Sequence, residues 1–289
     1  MKHGSKTADL FWITLIYLLA YILGYAASFY IENIMLRAFV FDIAATVVTF
    51  IFSTALKNSS VYDAYWSLTP MVLSLHLFII LRARSFWQIL FLIVFNIWSA
   101  RLTLNWVTVT TGFSYEDWRY RKYRAENTPL IWFLINFSGI HMVPTLVVFA
   151  GMLPLFEIAR LPMNALSLPG IIIILCGVML EFFADNSMRA FLGDNALSKE
   201  KTVCRRGLWK YSRHPNYLGE ILVWLGVYLT MLPFATEKWY YGIGALSVAL
   251  LFNLVSIPLM EKRQLGRRPD YADYRRQTSR LILLPPKTK

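Results

Sequence analysis

Apolar runs about 20 residues long recur along almost the whole chain, at about 10–30, 37–56, 66–81, 86–110, 130–156, 168–184, 218–235 and 239–259. A helix rises ~1.5 Å per residue, so a run of about 20 crosses a hydrocarbon core of roughly 30 Å. The pattern predicts an all-α, polytopic integral membrane helical bundle with about seven to eight transmembrane helices. The run that begins at Leu10 is too long for a signal-peptide core and reads as the first span. The third run is short. The fifth is interrupted by Pro144, Gly151 and Pro154, and is expected to bend or re-enter. Composition agrees: 57% of residues are hydrophobic and only 16% are charged, against about a quarter charged in soluble domains. That balance excludes a disordered chain, a coiled coil and a small disulfide scaffold.

The formal net charge is +12. Its distribution argues for membrane topology rather than for nucleic acid. With eight spans, Lys2, Lys6, Lys57 and the basic residues of 112–129, 185–217 and the tail fall on one side. Only Arg37, Arg82, Arg84, Arg160 and Lys238 fall on the other. Basic loops stay in the cytoplasm, so both termini are expected there, in a bacterial inner membrane or the endoplasmic reticulum. Cys176 and Cys204 make no metal-ligand spacing, and no metal site is expected. No repeat or linker divides the chain, so residues 1–289 read as one membrane domain. The expected surroundings are lipid, with no nucleic acid and no obligate protein partner.

Three polar clusters stand out, all late and all on the cytoplasmic side. The densest is Gly207-Leu208-Trp209-Lys210-Tyr211-Ser212-Arg213-His214-Pro215-Asn216-Tyr217-Leu218-Gly219-Glu220. Pro215 suits the first turn of a helix. Asn216 and Glu220 then share a face, and Glu220 lies about one turn inside the membrane, where an ionisable group is a functional candidate. The plainer alternative is an interfacial aromatic anchor on a capped helix start. Glu181, Asp185 and Arg189 form a second stripe at the end of the sixth run. In water it would be a ladder of ion pairs worth ~0.3–0.5 kcal/mol each. At a membrane surface it can be the wall of a site, with carboxylates for hydroxyls and a guanidinium for phosphate. The third cluster is Pro258, Glu261, Arg263, Arg267, Arg268, Tyr271, Tyr274, Arg275, Arg276 and Arg280. It suits phosphates and a stacked ring, and it equally suits anionic lipid. Arg101 and His141 lie within apolar runs. His76 and His141 lack the company of metal ligands and read as packed histidines.

These stretches together resemble the steroid 5α-reductase superfamily of integral membrane reductases. The features that carry the resemblance are the Asp185…Arg189 helix end, the Gly207–Tyr211 and Arg213–Glu220 stretches, and a Pro258-x-x-Glu261-Lys262-Arg263 tail ending in paired tyrosines. It is densest over about 175–285 and extends to about 60–125. It implies an NADPH-dependent reductase that reduces a carbon–carbon double bond of a lipophilic, enone-like substrate. It also implies a late cofactor-binding region without the Gly-x-Gly-x-x-Gly of a Rossmann fold. The cofactor residues it implies are Asp185 and Asn216 on the nicotinamide–ribose side and Arg189, Arg213, His214 and Arg263 as phosphate candidates. Trp209, Tyr211, Tyr217, Glu220, Glu261, Tyr271 and Tyr274 would line or close the pocket. Members acting on steroids use a Gln-Glu pair on an early span and a tyrosine on a middle span. The nearest positions here are Tyr62-Asp63 and Trp98. Indole cannot donate a proton as a phenol does, so Asp63, Tyr65 and Tyr115 are the catalytic candidates.

A second class fits the same short motif. Isoprenylcysteine and phospholipid methyltransferases, which use S-adenosylmethionine, carry a similar Arg-His-Pro-x-Tyr-x-Gly loop with a nearby glutamate. A transporter or lipid-binding scaffold is the third class, and it would have no nucleotide affinity. The topology has its own check. In a chain freed of Cys176 and Cys204, Lys287→Cys is expected to react with a membrane-impermeant maleimide only from the cytoplasmic face, and Lys238→Cys only from the opposite face. Labelling of both from one face would refute the arrangement.

Overall fold

The structure, a computed structural model, describes residues 5–196 and 202–287. The described residues form helices, with no strand beyond an isolated bridge between Ser212 and Ser279. The helices are α1 (Lys6–Ser28), α2 (Ile34–Ala55), α3 (Tyr65–Ile80), α4 (Phe86–Val109), α5 (Trp118–Glu126), α6 (Pro129–Leu134), α7 (Val143–Arg160), α8 (Leu168–Asp194), α9 (Pro215–Met231), α10 (Ile243–Leu251), α11 (Ile257–Leu265) and α12 (Tyr271–Gln277). Eight helical stretches among the described residues are long and apolar enough to cross a bilayer, as the sequence predicts. In hydrocarbon every backbone N–H and C=O needs a partner within the protein, and the α-helix supplies one along its length.

Most stretches run beyond their apolar runs, the third, the sixth and the eighth furthest. The third begins at Ser59 rather than about residue 66, because a one-turn 3-10 helix (Ser59–Tyr62) precedes α3. Its serines are buried but bonded: Ser59 Oγ donates to Asn136 Oδ1 at 2.8 Å, and Ser60 Oγ accepts from Asp117 N at 2.8 Å. The sixth runs on to Asp194, well past the apolar limit near 184, and so carries the Glu181–Asp185–Arg189 stripe on a helix. The fifth, expected to bend or re-enter, is one continuous helical stretch from Pro129 to Arg160. It passes through a π-helical stretch (Ile135–Met142) directly before Pro144 and continues as α7. A second π-helical stretch (Phe252–Ser256) precedes Pro258 in the same way. A proline ring clashes with the carbonyl four residues back, and the wider π turn moves that carbonyl aside without stopping the helix.

Packing groups the chain into two compact units, Met1–Ala83 with Ser99–Met152, and Arg84–Trp98 with Leu153–Lys289. In the first unit α1 lies on α2, and a Cβ at Gly24 would sit 2.7 Å from the Phe41 carbonyl oxygen. In the second, α8 and α9 form an antiparallel pair with unusually close backbones. A Cβ at Gly177 would come 2.6 Å from Gly219 O, one at Gly219 would come 2.7 Å from Gly177 O, and one at Gly226 would come 2.7 Å from Gly170 O. Lipid tails are as apolar as leucine, so helices in a membrane associate through packing, and small residues allow the backbones to meet. The matching seven-residue steps from Gly170 to Gly177 and from Gly219 to Gly226 keep these positions on facing sides.

Gly177→Leu is expected to destabilise the protein in detergent by at least the ~1–3 kcal/mol of ordinary overpacking. Thermal unfolding followed by fluorescence measures it. Gly193→Ala, where a Cβ meets nothing within 4 Å, is the matched control and should leave the midpoint unchanged.

Candidate functional site

In the second unit the late polar residues gather where α8 ends and α9 begins. Three sets of bonds hold them there. The Trp209 indole N–H donates to Ala184 O of α8 at 2.8 Å, and the Tyr274 hydroxyl donates to Trp209 O at 2.6 Å. The tail runs beside the loop: Arg213 N donates to Ser279 O at 2.9 Å, Ser212 Oγ to Leu281 O at 2.8 Å, and Leu284 N to Tyr211 O at 3.2 Å. Arg213 is the centre of the third set. Its Nε donates to Glu261 Oε1 at 2.8 Å, and its Nη1 to Thr278 O at 2.6 Å and Arg275 O at 2.9 Å. Glu261 also meets His214 Nε2 at 3.3 Å and Arg275 Nε at 3.4 Å. Arg213, His214 and Glu261 are buried. Their charge-assisted bonds tie loop, last span and tail into one body. Burial lowers the His214 pKa, against the opposing pull of Glu261, so the imidazole is neutral at neutral pH. Burial also pushes the Tyr271 phenol up to about 12, and it raises that of Tyr274.

Helix α9 presents different chemistry on its different sides. His214 and Tyr217 stack in parallel at 5.5 Å, and Tyr217 stacks on Phe252 at 4.5 Å. Asn216 is half-buried, and Glu220 is buried one turn further along α9. The buried Glu220 carboxylate accepts from two indoles, Trp98 Nε1 at 3.0 Å and Trp224 Nε1 at 2.9 Å. Trp98, at the position expected of a tyrosine, thus fixes the orientation of a carboxylate. Glu181 is buried against Gly219, and Asp185 is half-buried one turn further along α8. Arg189 is exposed and donates to Asn186 Oδ1 at 3.3 Å. Tyr211 is exposed, and Arg263 is half-buried in α11.

Apart from Tyr211, Tyr217 and Arg263, the cofactor candidates therefore fall into two groups. Arg213, His214, Glu261, Tyr271 and Tyr274 are spent on holding the loop and tail together. Asp185, Arg189, Trp209, Asn216 and Glu220 belong to the α8–α9 side.

In the first unit the three catalytic candidates have separate partners. Asp63 Oδ1 accepts from the Tyr120 hydroxyl at 3.0 Å. Tyr65 turns elsewhere, and its hydroxyl donates to Asp42 Oδ1 at 2.9 Å. Tyr115 belongs to a loop that is stitched down: Asn58 Nδ2 donates to Tyr115 O at 2.8 Å, and Glu116 Oε1 accepts from Ser59 N at 2.9 Å while pairing with Arg124 Nη2 at 2.6 Å. Burial raises the Tyr115 and Tyr120 phenols, with Asp117 and Asp63 adding to the shift of Tyr115 and Asp63 to that of Tyr120. Both stay protonated donors at neutral pH.

Sequence reasoning missed Asp42 and the network around it. Asp42, Thr46, Thr49 and Ser53 are all buried on α2, at the three- and four-residue spacing of one helix face. Thr46 meets Thr145 at 2.9 Å, Thr145 meets the Tyr62 hydroxyl at 2.7 Å, and Ser53 meets His141 Nε2 at 2.9 Å. That periodicity was the available signal. His141, whose Nδ1 lies 2.8 Å from Asn136 O, is the packed, bonded histidine the sequence suggested.

These features define a multi-pass helical membrane protein. A family model described as a protein of unknown function, DUF1295, matches residues 49–278, and the chain belongs to that family. An uncharacterised protein of Schizosaccharomyces pombe is 30% identical over 199 residues, which cover 60% of this chain and 57% of the yeast protein. The aligned region thus spans little more than half of that relative. No solved structure matches the chain.

Two outcomes test the lock. Arg213→Met leaves Glu261 buried without its principal cation and is expected to cost about 3–5 kcal/mol in thermal or denaturant unfolding. The His214 pKa lies below the ordinary 6.5. As pH falls through that ordinary value, the unfolded imidazole takes up a proton that the folded one refuses. This contribution to stability is therefore complete above 6.5, declines from there down to the lowered pKa, and levels off below it. His214→Gln should remove that segment of the pH–stability curve.

Proposed function

We propose that the chain is an NADPH-dependent membrane reductase of a carbon–carbon double bond in a lipophilic substrate. The observation that carries this reading is the convergence, at one end of the second unit, of the α8 stripe, the loop before α9 and the folded-back tail. The resemblance to steroid 5α-reductases noted above supports it.

The donor set suits a dinucleotide. Asp185 and Asn216 offer acceptor and amide groups for ribose hydroxyls and a carboxamide, and Arg189 offers a fork for phosphate. Trp209 is half-buried and pinned to α8, so its ring is a fixed wall. Glu220, held by two indoles, is a carboxylate with a preset direction beneath Asn216. NADPH, when bound, would supply the hydride. The chain's own part is to orient the donor, keep water from it, and provide a proton. Asp63, Tyr65 and Tyr115 are the candidates for polarising an enone carbonyl. The Tyr65 hydroxyl donates its one proton to Asp42 and Asp63 accepts from Tyr120, so either group would exchange that partner for the substrate. A substrate from the bilayer and a cofactor from the cytoplasm fit a C-terminus on the cytoplasmic side, as the charge distribution suggests.

The test is direct. Purified protein titrated with NADPH and, separately, with S-adenosylmethionine should bind the first and not the second. Asn216→Ala and Arg189→Ala should each weaken NADPH binding by about tenfold or more. Binding of S-adenosylmethionine alone would replace the reductase with a methyltransferase, and binding of neither would remove both.

A further inference from the structure

Beside the Arg213–Glu261 lock lies a cavity of about 330 Å³. One face of α11 lines it with Pro258, Glu261, Lys262 and Leu265, at three- and four-residue steps. Arg213 comes from the loop, Arg275 from α12 and Arg280 from the tail. Four cationic side chains thus surround a space with a single carboxylate, and that carboxylate is already shared among Arg213, His214 and Arg275. The local field favours an anion.

The cavity is built rather than incidental. Its floor is the buried Arg213–Glu261 pair. Its rim depends on the π turn. Ile257 N donates to Phe252 O, so the next carbonyl, Asn253 O, would look to residue 258, which is proline and has no N–H. Arg280 Nη2 supplies the missing donor at 2.5 Å, and this fixes the tail arginine over the cavity.

Its position names the source of the anion. The cavity lies at the polar end of the last candidate span, Thr236–Leu265. Directly above it the same helix exposes Leu254 and Val255, and Leu265 beside it is exposed too. An exposed leucine and valine on a spanning helix face acyl chains, whereas lysine and arginine at its end face headgroups. The geometry points to a site for the phosphate of an anionic phospholipid, with the headgroup between Lys262, Arg275 and Arg280 and an acyl chain along Leu254 and Val255. The same phosphate chemistry could come from a soluble phosphate ester, and the two sources are separable. This inference stands independently of the redox reading.

The experiment uses the full chain in detergent micelles of a neutral surfactant. Phosphatidylglycerol and phosphatidylcholine are added in turn, and binding is read by native mass spectrometry and thermal shift. The wild-type protein should retain phosphatidylglycerol preferentially. The double variant Lys262→Gln/Arg280→Gln should lose that preference by about tenfold, with NADPH affinity unchanged, while Lys262→Arg/Arg280→Lys should keep most of it and so guard against a folding defect. Arg267→Gln/Arg276→Gln removes the same charge outside the cavity and should have little effect. An equal loss in both glutamine pairs would mean a diffuse basic surface and overturn the site. So would an unchanged preference in the first pair. Displacement of the lipid by inorganic phosphate or by NADPH would assign the cavity to a soluble phosphate instead.

Discussion

The backbone contact between α8 and α9 is the constraint on which the second unit depends. Neither helix gains anything from leaving lipid for a neighbour of equal apolarity, so association rests on how closely atoms meet. Gly170, Gly177, Gly219 and Gly226 bring main chain against main chain. That approach has a chemical result. With Gly219 beside Glu181, the first turn of α9 is held along the outgoing turns of α8, and carboxylates and amides from both helices share one end of the pair. The polar side chains do not create this geometry. They occupy a place that four absent side chains make available.

What closes over that end is a polar fastening. The tail bonds backbone to backbone with the loop, and the Arg213 guanidinium reaches two tail carbonyls and Glu261 at once. A buried ion pair often stabilises little relative to apolar packing, because desolvation offsets attraction. Its value here is directional. Loop, last span and tail are each short or irregular, and a planar fork with several acceptors fixes all three in one arrangement. The first unit uses a different device, in which a carboxylate and hydroxyls along one face of α2 bond to a tyrosine, a threonine and a histidine opposite them, within a span.

Much of the fold was legible in the sequence because the bilayer sets a length scale and a polarity scale together. Eight apolar runs became eight helical stretches. Run boundaries were less legible, since Ser59 and Ser60 and the α8 residues after 184 are polar yet helical, their side chains bonded or their helix continued beyond the apolar layer. The fifth run stays helical through Pro144 because π geometry relieves a proline, and residue identity gives little sign of that. At the candidate site, the spacing of Asn216 and Glu220 was readable from helical period alone. The engagement of Arg213, His214 and Glu261 with one another was not, because their partners lie nearly 50 residues apart in sequence. Asp42 escaped notice because a single acidic residue amid apolar neighbours gains meaning only when Thr46, Thr49 and Ser53 are read with it.

The π turn before Pro258 also sets the phase of everything after it. An α-helix advances ~100° per residue, and the wider turn shifts by about one residue the direction in which all later side chains point. Leu254 lies within that turn and faces outward, whereas Glu261, beyond it, faces inward. Regular winding over the same number of residues would carry Glu261 about a quarter of a revolution from its arginine, whereas removing one residue between 252 and 256 together with the wide turn would leave it facing inward. The last span therefore has one residue to spare, and only within the wide turn could it shorten without turning its polar end away from the loop.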